Sequence, residues 1–102
     1  AAGTANVFNA ETVTNSNAIE VSGALTVQGA STITADQATD SITVDGSAAL
    51  TLADTSSISG GIVTVAALGT LTLNGTTSEL SSGTLNNEGK VTAAGTASGW
   101  IG

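Results

Sequence analysis

The sequence predicts an all-β fold, a parallel β-solenoid of about four to five coils with three short faces per coil, and three observations predict it. The first is a recurring triplet of aliphatic, threonine, aliphatic: Leu25-Thr26-Val27, Ile42-Thr43-Val44, Leu50-Thr51-Leu52, Val63-Thr64-Val65 and Leu71-Thr72-Leu73. Successive side chains on a pleated strand point to opposite faces, so each triplet buries two aliphatics and turns its threonine outward. The second is composition: 40% of the 102 residues are hydrophobic but only 2% aromatic, with 13 Gly and no Pro. Small and branched side chains on short strands joined by tight turns fit that balance; helices do not. The third is recurrence of the triplets at a spacing that marks a repeated supersecondary unit.

Taken in order, residues 1–23 offer Val7-Phe8, Thr12-Val13-Thr14 and Ile19-Glu20-Val21 as strands, separated by an Asn-rich turn at 15–17. A second unit runs from Leu25 through Thr32-Ile33-Thr34 to Asp40, a third over 42–61, a fourth over 62–83 and an incomplete one over 84–102, all within one domain, 1–102. With Leu25, Ile42, Val63 and Leu85 as equivalent anchors, the units step by 17, 21 and 22 residues, and the second triplet follows the first by 8. Ile58 and Leu80, 22 residues apart, are a third anchor. Three anchors per unit mean three strands per coil, each paired with its equivalent about 4.8 Å away in the next coil.

This phase predicts an inward set of Leu25, Val27, Ile33, Ile42, Val44, Leu50, Leu52, Ile58, Val63, Val65, Leu71, Leu73, Leu80, Leu85 and Val91. It also predicts two outward columns that share hydroxyl bonds, Thr26–Thr43–Thr64–Asn86 and Thr51–Thr72–Thr92. Gly46, Gly61, Gly75, Gly83, Gly89 and Gly95 read as corners.

Charge excludes two classes of partner. Eight carboxylates face a single cation, Lys90, for a net charge of −7, and both nucleic acid and anionic membranes demand clustered cations. No apolar run approaches the roughly 20 residues of a membrane-spanning helix, so no membrane insertion is expected. The absence of Cys removes disulfides and thiolate metal sites. A start at Ala1-Ala2-Gly3 fits a secreted product after signal-peptide removal, and fits an excised fragment equally.

Residues 82–96, SGTLNNEGKVTAAGT, and 14–27, TNSNAIEVSGALTV, resemble the repeats of filamentous-haemagglutinin-like and autotransporter-type adhesins, in which GTLNNxGxVxAxG motifs mark successive coils of a right-handed β-solenoid. The resemblance implies a bacterial extracellular, cell-surface or matrix protein. So short a chain is then either a spacer or binding segment of a larger adhesin, with a host or surface glycan as ligand, or a small subunit that gains length by self-assembly.

The chemistry-bearing candidates are Asp36, Asp40, Asp45 and Asp54. Paired carboxylates suffice for glycoside hydrolysis and clustered ones for calcium. A sugar site also wants aromatic platforms and cationic or amide groups, so the sequence points to no enzyme, no catalytic residue and no cofactor. Calcium is the one metal worth testing, although the four aspartates fall at different phases and each suits a solvated turn. A flat threonine array suits ice, but the TxT pairs Thr12/Thr14, Thr32/Thr34 and Thr70/Thr72 are expected at different phases. The only aromatics, Phe8 and Trp100, lie near opposite ends, the second followed by Ile101. Uncapped coils present unpaired backbone, so Phe8, Trp100 and Ile101 are the expected interface of a head-to-tail homopolymer, or else each aromatic plugs its own end.

Overall fold

Four complete coils and two strands of a fifth make up the molecule. The structure, a computed structural model, describes residues 6–75, 77–81, 83–94 and, by backbone alone, 99–101. The first coil is β1 (Asn6–Asn9), β2 (Thr12–Asn15) and β3 (Ala18–Val21); the second is β4 (Ala24–Gln28), β5 (Thr32–Ala35) and β6 (Ser41–Val44). The third is β7 (Ala49–Leu52), β8 (Ser57–Ser59) and β9 (Ile62–Val65), and the fourth β10 (Thr70–Leu73), β11 (Glu79–Ser81) and β12 (Thr84–Asn87). β13 (Lys90–Ala93) and β14 (Gly99–Ile101) begin the fifth.

Every strand pairs in parallel with its equivalent one coil away, giving sheet I (β1-β4-β7-β10-β13), sheet II (β2-β5-β8-β11-β14) and sheet III (β3-β6-β9-β12). Molecular extents of 27 × 26 × 22 Å match a stack of this many coils at a spacing of about 4.8 Å.

The alternation read from the triplets is what packs the interior. In β6, β7, β9 and β10 the two aliphatics of each triplet are buried, and the threonine between them and the residue before them are half-exposed. Of the expected inward set, all but Leu85 and Val91 are buried; those two, on the last described coils, are half-buried against the core. Val21 and Ala48 join it unforeseen, and Phe8, Val13 and Ile19 pack on it from the first coil.

The phase of the first anchor is corrected. Leu25 aligns with Leu50 and, through it, with Leu71 and Val91 on sheet I, whereas Ile42, Val63 and Leu85 follow Ile19 on sheet III. Corner length is the cause: two residues separate β3 from β4, but four separate β6 from β7 and β9 from β10. The 17-residue step therefore measures from one sheet to another. Thr26 accordingly stacks with Thr51, Thr72 and Thr92, and Glu20 heads the column Thr43–Thr64–Asn86. Thr12/Thr14 and Thr32/Thr34 prove to share a phase, directly paired on sheet II, while Thr70/Thr72 belong to sheet I.

Corners are held by buried polar groups. Ser31, Ser56 and Ser78 each stand one residue before a sheet II strand and are fully enclosed. Ser31 N–H donates to Ser56 Oγ (3.1 Å), Glu11 N–H to Ser31 Oγ (2.9 Å), and Ser78 Oγ to the Leu52 carbonyl (3.1 Å). At the next corner Asn15 Nδ2 donates to the Ser41 carbonyl (2.9 Å) and Asp40 Oδ2 accepts from Gln37 N–H (2.7 Å). Gly61 completes that corner at φ +75°, where a Cβ would lie 2.7 Å from the Asp40 carbonyl oxygen. Among the described residues no buried side-chain polar atom lacks a partner.

Candidate assembly edges

A parallel strand makes its ladder on both sides, so the outermost strand of each sheet leaves half its backbone groups open. At one end of the stack these are β1, β2 and β3; at the other they are β13, β14 and β12. Among the described residues no helix or folded-back segment lies over either end.

The two ends differ in chemistry. On β1, Phe8 aligns with Val27 and is half-buried against the core, while its neighbour Val7 is 50% exposed. Asn6 aligns with Leu25, and its Nδ2 donates to the Ala24 carbonyl (3.1 Å), so an amide stands where deeper coils carry leucine. At the far end β13 carries Val91 and Ala93 in the same two columns, and β12 carries Leu85 and Asn87. Trp100 occupies the register position beside Leu80 on β14, and Ile101 the position beside Ser81. Phe8 and Trp100 thus belong to different sheets, a separation that the linear sequence does not display.

The aspartates do not converge. Asp36 and Asp40 lie between β5 and β6, Asp45 between β6 and β7, and Asp54 between β7 and β8. Asp40 is spent on its own loop, and Asp54, at φ +59°, accepts from Gly29 N–H through Oδ2 (2.8 Å). Among the described residues no three His, Cys, Asp or Glu side chains gather where a metal ion could sit. Beside Asp36 an open groove of about 510 Å³ runs along Gln37, Gly60, Gly61, Gly83 and Thr84, and Asp36 is the one ionisable residue that lines it.

One carboxylate pair does form, and the sequence reading missed it. Glu20 lies beside Asp45, across one coil and two positions on. The hydrogen bond that the protonated Glu20 carboxyl donates to Asp45, then the charge of Asp45, then desolvation raise the Glu20 carboxyl above its ordinary 4.5. The buried serines were missed as well. Their signal was available as a serine immediately before each of β5, β8 and β11; Ser98 holds the same place before β14 in the sequence, and Ser98 and the expected corner Gly95 lie outside the described residues.

No protein-family model, curated protein or solved structure matches this chain.

Proposed function

We propose that this chain is a non-catalytic, extracellular structural module that extends by stacking coil on coil, its edge strands templating further copies of itself head to tail into a surface or matrix fibre. The observation that carries the reading is that the core columns of the middle coils run to both end coils, whose strands have open backbone on their outer side among the described residues. A second copy continuing the register would set β1 on β13 and β2 on β14, with a gap one strand wide between β12 and its β3 on sheet III. Phe8 would then fall over Ala93, large over small, and Val13 over the Trp100 position. Such a contact is heterologous and does not close, so it propagates.

The dispersal of the four candidate aspartates over three corners supports a role without catalysis or a resident metal. Localisation outside a bacterial cell rests on the composition and on the adhesin-like repeats. Those repeats also favour a second reading, a spacer or binding segment of a larger surface adhesin with a glycan ligand, in which the end coils meet more of one chain.

Negative-stain microscopy of the purified chain at neutral pH tests the first reading: filaments are expected, and a persistent monomer or irregular aggregate refers the chain to the second. Because the particle carries −7, filament growth should quicken with salt, which shortens the screening length to about 10 Å near 0.1 M, and with acid. Calcium should act no differently from magnesium at equal ionic strength. Phe8→Asp and Trp100→Ala should each abolish filaments while circular dichroism stays that of a folded subunit; loss of folding instead would make the aromatics plugs of their own core.

A further inference from the structure

The outer face of sheet II carries a two-column hydroxyl array that the end-to-end reading does not use. Register places Thr12, Thr32, Ser57 and Glu79 in one column and Thr14, Thr34, Ser59 and Ser81 in the next. Three successive strands therefore present hydroxyl, inward aliphatic, hydroxyl, and the first ionisable group on the array is Glu79 on the fourth. The grid spacing is about 4.8 Å along the stack and about 6.6 Å along each strand. Sheet I has one continuous threonine column, flanked by Ala24, Ala49, Thr70 and Lys90, so only one of its strands carries a pair of hydroxyls, and sheet III has Glu20 within its array.

Two further features bear on what this array can do. Its hydroxyls are uncommitted: among the described residues, Thr12, Thr14, Thr32, Thr34, Ser57 and Ser59 form no side-chain hydrogen bond with the protein, and neither do Thr26, Thr43, Thr51, Thr64, Thr72 and Thr92, whose columns were expected to share hydroxyl bonds. The strands beneath are also pinned, since the enclosed serines Ser31, Ser56 and Ser78 tie the start of β5, β8 and β11 to neighbouring backbone. Fixed donors and acceptors at fixed spacings lose little freedom when they engage a ligand.

A ligand for this face must itself repeat in two dimensions, hydrogen-bond without charge, and need no aromatic platform. Ice meets all three conditions. Its water oxygens repeat at comparable distances on several crystal planes, and threonine methyls fit between rows of them. We propose that the outer face of sheet II, centred on Thr12, Thr14, Thr32, Thr34, Ser57 and Ser59, binds ice. The array spans only three strands, so the expected effect is slowed recrystallisation more than a large depression of freezing.

The test is ice-affinity partitioning together with a recrystallisation assay on the whole chain. The parent should enrich in the growing ice and hold crystals small. Thr34→Tyr, a bulky strand former at the centre of the array, should lose both effects, while Thr51→Tyr on sheet I keeps them, with both variants folded by circular dichroism. Ser57→Thr with Ser59→Thr restores the methyls and should strengthen both effects; this variant keeps the proposal testable should Thr34→Tyr not fold. A parent that partitions like albumin, equal loss in Thr51→Tyr, or no gain from the double threonine variant would each overturn the proposal. Retention on insoluble cellulose or chitin without any effect on ice would overturn it too, and would assign the face to a glycan.

Discussion

The middle coils and the end coils use the same columns but enclose them differently. In the column Ile19–Ile42–Val63–Leu85, the two central members are each 3% exposed, while the two outer ones are only half-buried. Nothing in the side chains explains this, since all four are large aliphatics. Burial in a solenoid is conferred by the coil on either side, so a residue of core type is fully enclosed only where two neighbours exist. The end coils therefore carry core-type columns with a neighbour on one side only, and two of those columns end in an amide, Asn6 in place of leucine and Asn87 in place of valine.

The largest expected effect breaks the comparison outright. Leu50→Ala removes a fully enclosed side chain from the centre and should cost about 2–5 kcal/mol in chemical denaturation, whereas Leu85→Ala in the half-buried end position should cost well under half as much. Equal losses would mean that the end of sheet III is as protected as the middle, and the picture of open ends would fail.

Next in size is the internal serine ladder, which exists only where coils overlap. Ser56→Ala strips the acceptor from the buried Ser31 N–H and should cost about 1–3 kcal/mol, because an enclosed donor is left without a partner. Hydrogen exchange should report the opening at Ser31 first. An unchanged exchange rate there would show that the hydroxyl is not holding that corner.

A smaller effect runs in the opposite direction. Leu68 sits at φ +71° in the corner between β9 and β10 and is 82% exposed, so it bears left-handed strain without burial in return. Leu68→Gly should stabilise by up to about 1 kcal/mol, as relief of the strain outweighs the added freedom of the unfolded chain. A lower melting temperature in this variant would point to a contact that Leu68 supplies.

The smallest effect is electrostatic and belongs to the first coil. With its folded-state pKa raised above 4.5, Glu20 contributes stability that is fully present below that value and lost as pH rises through the raised one. Glu20→Gln should therefore flatten the fall in melting temperature between about pH 4.5 and neutrality, with the difference shrinking in salt because the group is on the surface. If parent and variant profiles coincide at low ionic strength, the pairing with Asp45 is not formed in solution.

The strand positions and their inward residues were legible in the sequence because a strand's period of two depends only on its own residues. Val63-Thr64-Val65 and Leu71-Thr72-Leu73 announce themselves. Leu25 could not be phased the same way, because its relation to Ile42 or Leu50 depends on how many residues each corner absorbs. The corner before β4 has two and that before β7 has four, and no local pattern distinguishes a short corner from a missing face. The array on sheet II was hidden for the same reason: Thr12/Thr14 and Thr32/Thr34 look unrelated until the register pairs them.

By itself, then, the sequence determined that this chain forms short parallel strands around a thin aliphatic core, since alternation and composition act residue by residue. Only the tertiary structure decided which strands stack on which, that Glu20 meets Asp45, that Phe8 and the Trp100 position lie on different sheets, and that three serines close one interior column. Those contacts join residues about twenty or more positions apart, and their geometry follows from the accumulated lengths of the corners between them.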